Sequence, residues 1–128
     1  MRVRTFTVPF AKIVGEDAHE LEFGPDDHLV IRPLFGLSKA EIGAWADRIG
    51  EVEKLDATTP EANEAADRLI VDLLADAVTG WRLDGPDGPI EKPTTPTALN
   101  ALPGAIAGSL YRFLTTYRGE GPNPTTRG

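Results

Sequence analysis

The stretch GWRLDGPDGPIEKPTTPTALNALPG, Gly80–Gly104, decides how this chain is read. It is either an acidic site that does chemistry or a junction that ends one helix and starts another. Its carboxylates Asp84, Asp87 and Glu91 fail the pattern of a calcium loop. Such a loop needs oxygen ligands at its first, third and fifth positions and glycine at its sixth. Counted from Asp84, the third residue is Pro86 and the fifth is Gly88. No His, Tyr or Ser stands beside these acids to complete an acid–base pair. Asp84-Gly85 and Pro86-Asp87-Gly88 are instead turn sequences, in which glycine supplies backbone angles that other residues avoid. With Leu83 before the turn and Ile90 after it, the segment is expected to be a hinge between two helices, carrying at most a tiny β-hairpin or a pair of apolar anchors.

Upstream lies TPEANEAADRLIVDLLADAVTGW, Thr59–Trp81. Thr59 suits an N-cap, and Pro60 suits the first helical position, where its missing N–H costs nothing. Ala66, Leu69, Ile70, Leu73, Ala77 and Trp81 form a wide apolar stripe, and Gly80 stands near the place of a C-terminal stop. Before it, Ser38 and Glu41 have the spacing of a capping box. Ile42, Trp45, Ala46 and Ile49 then recur at helical intervals. Downstream, Thr95-Pro96 repeats the Thr-Pro start, and Pro103 should kink or restart the helix. Ile106, Leu110, Phe113 and Tyr117 follow at helical spacing to Gly119.

The first third reads as β. Val3–Val8 alternates, with Arg4, Phe6 and Val8 on one parity. Pro9 marks an edge or a bend, after which Ala11–Val14 is expected to continue as strand. Turns at Gly15–Ala18 and Gly24–Asp27 bracket an alternating His19–Phe23, and His28–Leu34 is the strongest strand. The expected fold is α+β: a small N-terminal antiparallel sheet or hairpin followed by three to four helices. Residues 1–119 are expected as one domain, β-rich over 1–34 and helical over 38–119. Residues 120–128 lack an apolar anchor and are expected as a flexible tail.

Composition narrows function. The net charge is −7 over 128 residues. That opposes binding to nucleic acid, which needs a Lys/Arg-rich face, and to anionic membranes. Cysteine is absent, which removes disulfides, thiolate chemistry and Cys-ligated metals. No apolar run is long enough to span a bilayer. His19 and His28, flanking one expected hairpin near Glu20, Glu22, Asp26 and Asp27, could meet at a divalent metal, but no recognised ligand spacing supports it. Two solvated histidines are the plainer reading. Ser38 is occupied as a cap, Ser109 lies inside a helix, and neither sits in a nucleophile elbow. The chain is therefore expected to be no enzyme and to hold no cofactor or metal. Gly104 and Gly108 have GxxxG spacing, which permits close helix approach. Leu110, Tyr111, Phe113, Leu114 and Tyr117 cover more than one narrow face, so this last helix is either deeply buried or meets a partner.

The order of elements also carries a resemblance. A short β segment leads through LVIRPLFGLSKAEIGAW into a helix, and a further helix ends in VTGWRLDGPDGPIEKPTTPTALNALPGAIAGSLYRFL. This block resembles the tail assembly chaperones of long-tailed, siphovirus-like bacteriophages. In them a helix ends in Trp, a D-x-G turn and a P-x-T segment follow, and Leu-Pro opens the last helix. The matching residues are Trp81, Asp84 or Asp87, Gly88, Pro89, Thr94 or Thr95, Leu99, Leu102 and Pro103, and the likeness spans most of Val30–Leu114. It implies a non-enzymatic protein of the host cytoplasm that coats and solubilises the tape measure protein and helps recruit tail tube protein; self-association would be compatible with it. A structural virion protein, such as a head–tail connector or minor tail protein, is the alternative, and a metal-binding module using His19 and His28 is the third reading.

Overall fold

A computed structural model describes residues 3–15, 21–33 and 37–117. In chain order these form β1 (Phe6–Pro9), α1 (Phe10–Val14), β2 (His28–Ile31), α2 (Lys39–Glu53), α3 (Pro60–Ala77), β3 (Val78–Arg82), β4 (Asp84–Gly85), β5 (Gly88–Pro89), α4 (Pro96–Asn100) and α5 (Gly104–Thr116). The fold is α+β, with a three-stranded antiparallel sheet in the order β1-β2-β3.

β1 pairs with β2 in the register Val8↔Leu29 and Phe6↔Ile31. The alternation then points Val8, Leu29 and Ile31 inward, all buried, while Thr5 and Thr7 face water. β3 completes the sheet on the other side of β2, with a bulge between Val30 and Ile31. The sheet is therefore not purely N-terminal. Its third strand comes from the middle of the chain and follows α3 without a connecting loop.

That strand corrects the helical reading of Val78–Trp81. Gly80 is not a helix stop. It faces Val30 across the sheet, and a Cβ there would lie 2.9 Å from Val30 Cγ2. The helix ends at Ala77 because its last carbonyls are satisfied from elsewhere. Arg32 donates its backbone N–H to Ala77 O (2.8 Å) and its Nη2 to Asp76 O (2.9 Å). Lys92 Nζ donates to Leu74 O (3.2 Å) and Val78 O (2.9 Å). Two cations at the negative end of the helix dipole take the role that a glycine cap usually fills.

Ala11–Val14 is helix rather than strand. Pro9, with φ of −64°, caps a single turn that closes at Gly15 with φ of 83°. Leu21 and Phe23 form no strand but pack partly buried against the core, with Phe23 stacked on Phe10 at 6.2 Å. The turn at 16–18, His19, Leu34, the helix end at Gly119 and the tail at 120–128 lie outside the described residues.

The helix starts follow their sequence signals. Ser38 and Glu41 form the reciprocal capping box. Thr59 caps α3 with Pro60 in its first turn, and Thr95 caps α4 with Pro96 in its first turn. Pro103 restarts the chain as α5. α3 is the central element. Leu69, Ile70, Leu73 and Leu74 are buried on it, against Leu99 of α4 and Ile106, Leu110 and Leu114 of α5. Each fully buried side chain of this size contributes about 1.5–3 kcal/mol.

Candidate functional site

The Gly80–Gly104 stretch is a structural junction. Asp84–Gly85 pairs with Gly88–Pro89, so Pro86-Asp87 forms the tip of a two-residue hairpin. Gly88 has φ of 124°, which excludes a side chain. Ile90 N–H donates to Leu83 O at 2.7 Å, closing the apolar pair below the turn. Trp81 lies in β3 rather than at a helix end. Its Nε1–H donates to Ile90 O (2.9 Å), and its ring meets Phe10 edge-on at 4.9 Å. The junction links to the N-terminal third through Asp27, which is buried. Its carboxylate accepts the N–H of Gly24 (2.8 Å) and of Asp84 (3.1 Å), one on each oxygen. From the sequence Asp27 reads only as a turn residue and a possible metal neighbour of the histidines; its tie to Asp84 is not legible there, because that partner lies 57 positions away. A hollow of about 540 Å³ lies beside Trp81 and Lys92. Arg82, Asp84 and Glu91 also line it; the Trp81 indole and Lys92 ammonium bond backbone carbonyls, and Arg82 pairs with Asp84 at 3.9 Å.

His28 Nδ1–H donates to Asp26 O at 2.6 Å. His19 lies outside the described residues, so the suggested histidine pair has no described geometry. Among the described residues no group of three or more His, Asp or Glu could hold a metal. No helix among them is long and apolar enough to cross a membrane.

The five residues expected either to be buried or to meet a partner separate. Leu110 and Leu114 are core residues, 0% and 2% exposed, so for them the buried alternative holds and the partner-contact guess does not. Phe113 and Tyr117 are half-buried with their rings tilted against each other at 4.8 Å, and Tyr117 meets Phe6 of β1 edge-on at 6.1 Å. Burial pushes the Tyr117 hydroxyl's pKa up, and among the described residues that oxygen has no hydrogen-bond partner. Gly104 and Gly108 are exposed with open space beside them, so among the described residues their GxxxG spacing makes no close helix approach.

Tyr111 differs from the other four. It reaches an open hollow of about 320 Å³ where the end of α2, the first turns of α3 and α5 converge. Val52 and Leu55 form one wall, and Ala62 and Ala66 of α3 form the floor. Withdrawal from water, and then the Glu53 carboxylate, push the Tyr111 hydroxyl's pKa up. Across Val52 and Leu55 lies a second hollow of about 330 Å³, flanked by Arg48, Glu51 and Arg68. The region is acidic. Between Lys39 and Ala77 the chain carries ten carboxylates against four cations, a balance of −6 out of its total of −7. What the fold defines is thus an α+β domain whose acidic α2–α3 segment is opened by apolar hollows. No protein-family model, no curated protein and no solved structure matches the chain.

Proposed function

We propose that the chain is a tail assembly chaperone of a long-tailed bacteriophage, which binds the tape measure protein and keeps it soluble in the host cytoplasm during tail assembly. The reading involves no chemistry and no cofactor. It rests on the resemblance over Trp81–Leu114. The observation that supports it best is the open apolar hollow at Val52, Leu55 and Tyr111, on a helical segment, Lys39–Ala77, of net −6. Such a segment suits transient capture of an amphipathic helix and opposes aggregation of the complex. Tail tube protein is a further partner on the same reading.

Co-expression with the tape measure protein of the phage that would encode it, followed by size-exclusion chromatography with light scattering, tests the proposal. The expected result is a soluble co-eluting complex where the tape measure protein alone aggregates. Absence of a complex, with the chain found by mass spectrometry in purified particles, would replace the chaperone with a structural virion protein.

A further inference from the structure

We infer that the hollow at the α2–α3–α5 junction is the seat for one face of a cationic amphipathic helix supplied by a partner protein. The inference deepens the chaperone reading and rests on it for the partner's identity, while the chemistry of the seat stands on the residues themselves.

The floor decides the shape of the occupant. Ala62 and Ala66 are one helical turn apart on the same face of α3, and both line the hollow. Two small side chains in that relation leave a shallow trough along α3. Val52 and Leu55 raise one side of it and Tyr111 bounds it from α5. A trough between helices accepts the ridge of side chains that recurs every third or fourth residue on another helix. Leu55, Val52 and Tyr111 are half-buried, so the apolar surface for such a ridge is already displayed.

The rim decides its charge. Among the residues lining this hollow there is no Lys or Arg, and Glu53 is the charged one. Glu53 stands close enough to Tyr111 to disfavour ionisation of its hydroxyl. Beside the lining in sequence stand Asp67, after Ala66, and Lys54, between Glu53 and Leu55; neither lines the hollow, so Glu53 sets the charge at its edge. The cations Arg48 and Arg68 line the other hollow, beyond Val52 and Leu55. An apolar ridge flanked by Lys or Arg is therefore complementary here, and one flanked by Glu is repelled.

The test uses two fluorescent model helices of about 18 residues, long enough to hold helical structure, one built of Leu and Lys and the other of Leu and Glu. Binding is followed by anisotropy and located by amide shift changes on the unaltered protein. The Leu/Lys helix is expected to bind, with shifts centred on Val52, Leu55, Ala66 and Tyr111, and the Leu/Glu helix is not. Glu53→Lys should weaken binding about tenfold, as expected when one attraction becomes a repulsion. Ala57→Trp should weaken it by filling the exposed mouth. Glu91→Lys makes the same charge change away from the seat and should alter binding less than about twofold. Equal binding of the two helices, shifts centred elsewhere, or equal effects of Glu53→Lys and Glu91→Lys would overturn the seat. If the Leu/Lys helix binds as expected but the tape measure protein of the same phage does not co-purify, the seat stands and the chaperone reading falls. If that protein co-purifies equally well with the Glu53→Lys and Ala57→Trp variants, the chaperone reading stands and the seat falls.

Discussion

α2 and α3 start alike and end in different environments. Each opens on a well-formed cap and carries an apolar stripe at helical spacing. Yet seven of the eighteen residues of α3 are buried, and of the fifteen in α2 only Trp45 is. Caps and periodicity say that a helix forms. They do not say how much of it the rest of the chain covers. α2 rests on α3 through Trp45, over which Arg48 stacks at 4.9 Å while it pairs with Asp72 of α3 at 2.8 Å. Ile42, Ile49 and Val52 stay half open. The largest expected effect follows from this contrast. Leu73→Ala, at a fully buried site of α3, should cost about 2–5 kcal/mol, because a cavity remains where no neighbour can collapse. Ile49→Ala on α2 should cost under about 1 kcal/mol. Urea midpoints of the two variants check the pair, and equal losses would mean that α2 belongs to the core.

The end of α3 offers the next test. Lys92 Nζ bonds both Leu74 O and Val78 O from a half-buried position. Lys92→Met keeps most of the stem and removes the donors. It should cost about 1–3 kcal/mol, the penalty for leaving partly buried carbonyls without their charged partner. The loss should appear as faster amide exchange at the α3–β3 junction, with α2 unaffected.

That junction also shows where sequence reading stops. Thr59-Pro60, Thr95-Pro96, Ser38/Glu41 and the Asp-Gly turns act within four residues, and each was legible as a start or a turn. The α+β class followed from them and from the alternation of Val3–Val8 and His28–Leu34. The end of α3 was not legible, because its caps come from Arg32 and Lys92, remote along the chain. Trp81 continues the helical stripe of α3 by spacing, but cross-strand pairing with Leu29 prevails over it. The candidate surface followed the same rule. A wide apolar arc on α5 was visible, but only the packing shows that Leu110 and Leu114 face inward while Tyr111 borders a hollow.

The capping box of α2 yields a pH dependence. Glu41 accepts the Ser38 N–H at 3.2 Å, and the bonds with Ser38 hold its carboxyl below the usual glutamate range. Asp56, just past the other end of α2, is lowered likewise by the Thr58 N–H and hydroxyl. Both folded pKa values lie below the unfolded ones. Their stabilisation is therefore complete above the ordinary carboxylate range and is lost as pH falls through that range to the folded values below it. Helical signal from α2 should fade over that window before α3 responds, and Glu41→Gln should flatten its part of the profile. Ser38→Ala, which removes the other half of the box, should cost about 1 kcal/mol at neutral pH.

The smallest expected effect runs in the opposite direction. Gly43 lies inside α2, and a Cβ added there would meet no atom within 4 Å. Glycine in a helix interior costs roughly 0.5–1 kcal/mol relative to alanine, because the unfolded chain has more freedom to lose. Gly43→Ala should therefore stabilise α2 by about that amount without touching a neighbour, seen as slower amide exchange across Ala44–Arg48. If α2 must yield slightly to admit a helix at Val52 and Leu55, the same substitution should also slow association of the Leu/Lys helix. If α2 is a rigid wall of the trough, the rate should not change. Gly43→Ala thus separates a helix kept loose for binding from one that is merely less covered than α3.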